Sequence, residues 1–185
     1  KYTVSVLENV AGNSYRVVKR KNITTNLADE NAVFLQSIQL IDWHEDMEVI
    51  KKAKELTVEA KTDLDKLAVI YNYIVNNISY DYQKYNQLNA DYIPAIEEIN
   101  KTKQGICYDY AALTAAMLRS VGVPTKLVMG YKNDITEYHA WNQVYMQDSN
   151  AWVTIDTTYD SILKQNDIPT TMLKTAQEYF VDKQY

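Results

Sequence analysis

Cysteine occurs once in this 185-residue chain, at Cys107, and histidine only twice, at His44 and His139. A lone thiol excludes an intramolecular disulfide and any zinc site built from two cysteines of the chain. Thiol–imidazole chemistry must therefore use Cys107 with one of two partners. Long apolar runs are missing as well: the longest, Ala111 to Leu118, is far too short to span a bilayer. Positive charge is in deficit, with 19 Lys and Arg against 24 Asp and Glu, a net charge of −5. The short basic clusters Lys19-Arg20-Lys21 and Lys51-Lys52 sit among acids, so the pattern gives no support for nucleic-acid binding. There is no G-x-S-x-G elbow, no glycine-rich phosphate loop and no H-E-x-x-H. Glycine numbers 4, and Gly105, Gly122 and Gly130 all fall in one short stretch. Tyrosine is the residue in excess, 16 against 2 phenylalanines. Its ring and hydroxyl together suit grooves and wet surfaces.

The hydrophobic fraction of 46% and charged fraction of 23% are those of a globular domain. Residues 1–60 read as an N-terminal extension of mixed structure: short strands at Tyr2–Leu7 and Ser14–Lys19, then a Lys/Glu-rich helix over Glu48–Ala60. Residues 61–185 read as the main domain. Thr62 is an N-cap, with Asp63 and Asp65 at the positive end of the helix dipole. Leu64, Leu67, Ala68, Tyr71, Ile74, Val75 and Ile78 then recur at helical steps as a core-facing stripe. Ser79–Tyr92 reads as a tyrosine-rich loop, and Pro94 opens a short helix to about Asn100. Residues 107–120 are helix formers, apolar nearly all round, so this helix is central and buried; Gly122 and Pro124 stop it. Strands follow at Thr125–Tyr131, Tyr138–Met146 and Ala151–Thr157, and another near Tyr179–Asp182.

Cys107 starts the buried helix. Backbone N–H groups and the helix dipole favour an anion there, which favours the thiolate; a free cysteine is otherwise a small buried hydrophobe. His44, among charged neighbours in Trp43-His44-Glu45-Asp46, reads as a surface residue. His139 stands on a strand, and Asp156 on the next. With an even loop between them, Met146 faces Ala151, Trp141 faces Asp156 and His139 faces Thr158. His139, Trp141 and Asp156 then share a face, with Asp156 a diagonal neighbour of the imidazole. A carboxylate so placed would hold the imidazole in one tautomer. A metal site from Cys107, His139 and Asp156 is the minor alternative.

Three stretches resemble a known family. Gln104-Gly105-Ile106-Cys107-Tyr108-Asp109-Tyr110-Ala111, Tyr138-His139-Ala140-Trp141-Asn142-Gln143-Val144 and Trp152-Val153-Thr154-Ile155-Asp156-Thr157-Thr158 are similar to the cysteine, histidine and aspartate motifs of the transglutaminase-like superfamily. The resemblance covers about residues 62–160. It implies an α+β, papain-like core, with the cysteine at the N-terminus of a central buried helix packed on an antiparallel sheet carrying His and Asp. It implies Cys107 as nucleophile, His139 as general acid–base and Asp156 as orienting carboxylate. Tyr80, Gln104, Tyr108 and Trp141 are the implied oxyanion and groove residues. The implied activity is cysteine-dependent acyl transfer on protein or peptide amides. Hydrolysis is favoured over crosslinking, because bacterial single-domain members resemble hydrolases and the chain carries no extra β-sandwich or calcium-site context. The other reading is a catalytically idle module for cell-surface binding or assembly. No cofactor and no metal are called for. A start at Lys1 and the polar, tyrosine-rich composition give the expectation of a secreted or cell-surface protein.

Overall fold

The computed structural model describes residues 2–185. They fall into two compact units, one up to Glu30 and one spanning Asn31–Tyr185. The first is an antiparallel hairpin of β1 (Tyr2–Ala11) and β2 (Ser14–Ile23), longer than the two short strands expected. Its turn passes through Gly12, whose positive φ of 50° favours glycine. Thr3 bonds Asn22 and Arg20 bonds Ser5 across the pair.

The second unit holds the core. Helix α1 (Glu48–Leu56) buries Val49, Ile50 and Ala53 there. Helix α1 thus belongs to the same compact unit as the residues that follow it. Helix α2 (Asp63–Asn77) starts on the expected cap: Thr62 accepts from the Asp65 N–H, and the Asp65 carboxylate accepts from the Thr62 N–H. The stripe Leu67, Ile70, Tyr71, Ile74 and Val75 is buried, whereas Leu64, counted in it from spacing, is exposed in the first turn.

The segment read as a loop contains a strand residue pair, β3 (Ser79–Tyr80), and a short helix, α3 (Tyr82–Asn86). Helix α4 (Ile96–Thr102) ends at Lys103 in the left-handed region, and β4 (Gln104–Gly105) pairs in parallel with β3. Helix α5 (Cys107–Ser120) is buried from Asp109 to Arg119 on all sides. Its alanines let the sheet, α1, α2, α4 and α6 approach closely. A polar residue at the far end is tolerated because it is satisfied: Arg119 donates to the carbonyls of Thr125, Gln36 and Tyr185.

The sheet has the order β8–β7–β6–β5–β9, every neighbour antiparallel. Its strands are β5 (Thr125–Lys132), β6 (Ile135–Met146), β7 (Ala151–Ile155), β8 (Leu173–Lys174) and β9 (Tyr179–Gln184). Helix α6 (Thr157–Gln165) follows β7 directly. The α+β class and the helix-on-antiparallel-sheet arrangement are those expected.

Candidate active site

The start of α5 is built around one carboxylate. Asp109 is fully buried and reaches back to the N–H of Ile106, 2.9 Å away, the residue that caps the helix. The same group accepts from Lys84 Nζ at 2.5 Å and from the Tyr92 hydroxyl. It thus ties the tyrosine-rich segment onto the first turn that carries Cys107. Gly105 is required by close approach: a Cβ there would lie 2.7 Å from Asp109 Cβ. Cys107 itself is partly exposed.

The hairpin of β6 and β7 has the expected register, with Met146 opposite Ala151 and Asn142 opposite Ile155. The pairing stops at Ile155, so Asp156 does not lie on a strand and Thr158 does not face His139. Asp156 is the N-cap of α6: Oδ1 accepts from the Tyr159 N–H at 3.0 Å. An aspartate breaks the strand by offering this local hydrogen bond in place of the ladder. Oδ2 stays free of the cap and meets His139 Nε2 at 2.8 Å. Both residues are buried, and His139 lines the same two clefts as Cys107.

Tyr80 sits in register beside Gly105, held by parallel pairing and by the Asp81 N–H donating to the Gly105 carbonyl. Its ring lines the same cleft as Cys107. Tyr108 lines a second cleft at Cys107. Gln104 does not join them. Successive side chains of an extended segment point to opposite sides, and Gln104 turns outward toward Asp81 and Glu98. Trp141 is also absent from the clefts. It is fully buried, stacked at 6.2 Å on the His139 ring, and packs at 5.1 Å on Tyr179. It backs the imidazole and lines no groove. His44 is exposed, as expected.

Three residues gave no functional signal in the sequence. Asn142, fully buried on β6, donates to the carbonyl of Ala111 in α5 at 2.9 Å and to that of Lys126 at 3.1 Å. It pins the cysteine helix to the histidine strand. Tyr179 donates to Asp156 Oδ2 at 3.1 Å from β9. Asp109 is the third. Asn142 and Asp109 lie inside the quoted motifs, but nothing local reveals partners so distant in the chain.

Cys107 and His139 stand where two clefts meet, of about 270 and 330 Å³. Tyr85 and Tyr138 line both. Burial lowers the proton affinity of His139, but the charge and hydrogen bond of Asp156, and then Cys107, outweigh it and raise its pKa to about 10. Burial, and then neighbouring Cys107, push the Tyr80 hydroxyl up, so it keeps its proton as a donor. Burial and Asp156 do the same for Tyr179.

The raised histidine pKa sets a pH dependence of stability. A group that binds its proton more tightly when folded stabilises the fold fully below its unfolded pKa of about 6.5. That contribution is lost as pH rises toward the folded value of about 10. Denaturant titrations between pH 6 and 9.5 are expected to show a loss on the order of a few kcal/mol in the wild type. Asp156→Asn is expected to flatten that slope; an unchanged slope would assign it to another group.

A family model described as the transglutaminase-like superfamily matches residues 50–157. A UPF0252 protein of Methanocaldococcus jannaschii is 35% identical over 120 residues, which are 58% of this chain and 33% of that protein. Human kyphoscoliosis peptidase is 30% identical over 117 residues, 58% of this chain and 17% of that protein. The chain thus spans a third or less of these curated relatives. Among solved structures, the periplasmic domain of TgpA from Pseudomonas aeruginosa superposes with a TM-score of 0.57 at 19% identity, over 74% of this chain and 49% of that one.

Proposed function

Because this chain belongs to the transglutaminase-like superfamily, we propose that it carries out cysteine-dependent acyl transfer on protein or peptide amides, with water favoured over an amine as acceptor. The observation that carries this reading is the bond from Asp156 to His139 beside Cys107, at the meeting point of two clefts. In the proposed mechanism Cys107 passes its thiol proton to His139, and the sulfur attacks the amide carbonyl. Asp156 holds the imidazole by Nε2 and stabilises the imidazolium. The oxyanion is met by the Cys107 N–H, which has no earlier carbonyl in its helix, and by the Tyr80 hydroxyl. His139 then protonates the departing amine, leaving a thioester on Cys107. Water, deprotonated by His139, cleaves the thioester and restores the thiol.

The curated relative named a peptidase supports water as acceptor. The partial exposure of Cys107 and the bond between Asp156 and His139 favour activity over an idle binding module. We place the protein outside the cytoplasm, secreted or at the cell surface; a periplasmic domain shares the fold.

The test is mass spectrometry of a protein mixture incubated with a tagged amine and either wild type or Cys107→Ala. New peptide ends with the wild type alone are the expected result. Tag incorporation instead would make the protein a crosslinking enzyme, and a glutamine-to-glutamate shift of about one dalton would make it a deamidase. No change of any kind would overturn the enzymatic reading.

A further inference from the structure

The two clefts at Cys107 differ chemically. The second is lined by neutral groups away from the reacting pair, among them Leu88, Ala90, Met129 and Ala140. The first is walled by the rings of Tyr80, Tyr82 and Tyr85 and contains one carboxylate, Glu137. Glu137 stands two residues before His139 on β6, so both point to the same side of the strand. It is exposed, and among the described residues it forms no salt bridge. Tyr80 and Tyr82 meet edge to face at 4.8 Å, which turns one ring's face away from its neighbour.

Rings around an unpaired carboxylate suit an ammonium or guanidinium group. The ring face attracts the cation, and the carboxylate supplies the counter-charge. The chain makes such contacts internally: Lys84 Nζ lies 4.5 Å from the Tyr92 ring centre, and Lys126 Nζ lies 4.1 Å from that of Trp152. An acidic substrate side chain would meet like charge in this cleft, and an aliphatic one would leave the Glu137 carboxylate facing apolar surface.

We propose that the first cleft is a specificity site for a lysine or arginine side chain of the polypeptide substrate, placed beside the attacked amide, with an apolar side chain occupying the second cleft. This rests on the reading that polypeptide amides are the substrate. The cation recognises the site through Glu137 and the tyrosine rings, and it places the amide carbonyl over Cys107 from one side while the apolar residue anchors the other.

The experiment uses matched peptides carrying Arg, Lys, Leu or Glu beside a fixed amide. They are assayed for cleavage by wild type, Glu137→Gln and Glu137→Lys, and for equilibrium binding to Cys107→Ala with and without Glu137→Gln. Thermal melts confirm that each variant is folded. The wild type is expected to prefer the cationic peptides over the acidic one by about tenfold or more, Glu137→Gln to lose most of that preference, and Glu137→Lys to invert it. The arginine peptide separates recognition from use of lysine as an amine acceptor, since arginine does not act as one here. Cleavage with no preference, or a preference unchanged in Glu137→Gln, would overturn the cation site while leaving the enzymatic reading intact. Glu137-dependent binding of cationic peptides without cleavage would do the reverse.

Discussion

Replacing His139 by alanine is expected to slow alkylation of Cys107 by iodoacetamide at pH 6 by about two orders of magnitude. An ordinary thiol, with a pKa near ~8.5, is ionised to roughly one part in 300 at that pH. A thiol that can hand its proton to a neighbouring imidazole is not limited in this way. His139 is suited to receive it: Asp156 holds one ring nitrogen, and the charge of Asp156 raises the imidazole pKa to about 10. Once His139 has taken the proton, the imidazolium is therefore held against Asp156. Turnover of a peptide amide should fall further, by roughly 10²–10⁴-fold, because the same group also protonates the leaving amine. Alkylation is the cleaner readout, since it needs no knowledge of the substrate. Equal rates for wild type and His139→Ala would sink the thiolate–imidazolium pair and the mechanism with it. His44→Ala serves as the control; that residue is exposed and lies outside both clefts.

Gly130→Ala is expected to damage the site without touching any reacting group. Gly130 is on β5 where the pairing with β9 slips by one residue. A Cβ at this position would lie 2.0 Å from the carbonyl oxygen of Phe180 and 3.0 Å from the N–H nitrogen of Asp182. Those are backbone atoms of β9, which no rotamer change can move aside, so the strand itself must shift. Overpacking of a fixed environment costs about 1–3 kcal/mol, and the shift withdraws Tyr179 from Asp156 and from the ring of Trp141. The expected result is a lower melting temperature together with slower alkylation of Cys107. Tyr179→Phe separates the two effects: it keeps the ring packing, removes one hydrogen bond to Asp156 and should alter the pH dependence of alkylation more than stability. Retention of wild-type stability in Gly130→Ala would show that β9 tolerates displacement and does not hold the site.

Which of these features the sequence discloses depends on how far apart the partners lie in the chain. The buried helix from Cys107, the Thr62 cap and the β6–β7 register are legible because each follows from neighbours a few residues apart. Gln104 and Trp141 were expected in the groove because they stand in the right motifs. Chain proximity does not say which way a side chain turns: alternation in β4 sends Gln104 outward, and β6 buries Trp141 against Val128 and Tyr179. The segment 79–92 reads as a loop because its ordering comes from elsewhere, from pairing with β4 and from the carboxylate of Asp109.

The shortage of thiols and imidazoles, the order of the three motifs and the parity of one hairpin are properties of the sequence alone. They limit any thiol–imidazole chemistry to Cys107 with one of two histidines and make His139, with an acid on the next segment, the expected partner. The sequence does not contain the angle at which that acid arrives. Asp156 reaches His139 because it ends β7 and caps α6, leaving one oxygen for the helix and one for the imidazole. The brace from Asn142 to Ala111, the bond from Tyr179 and the meeting of two unlike clefts at Cys107 also join residues far apart in the chain. Local propensities and periodicities act over a few residues, whereas these contacts exist only once packing has brought separate elements together.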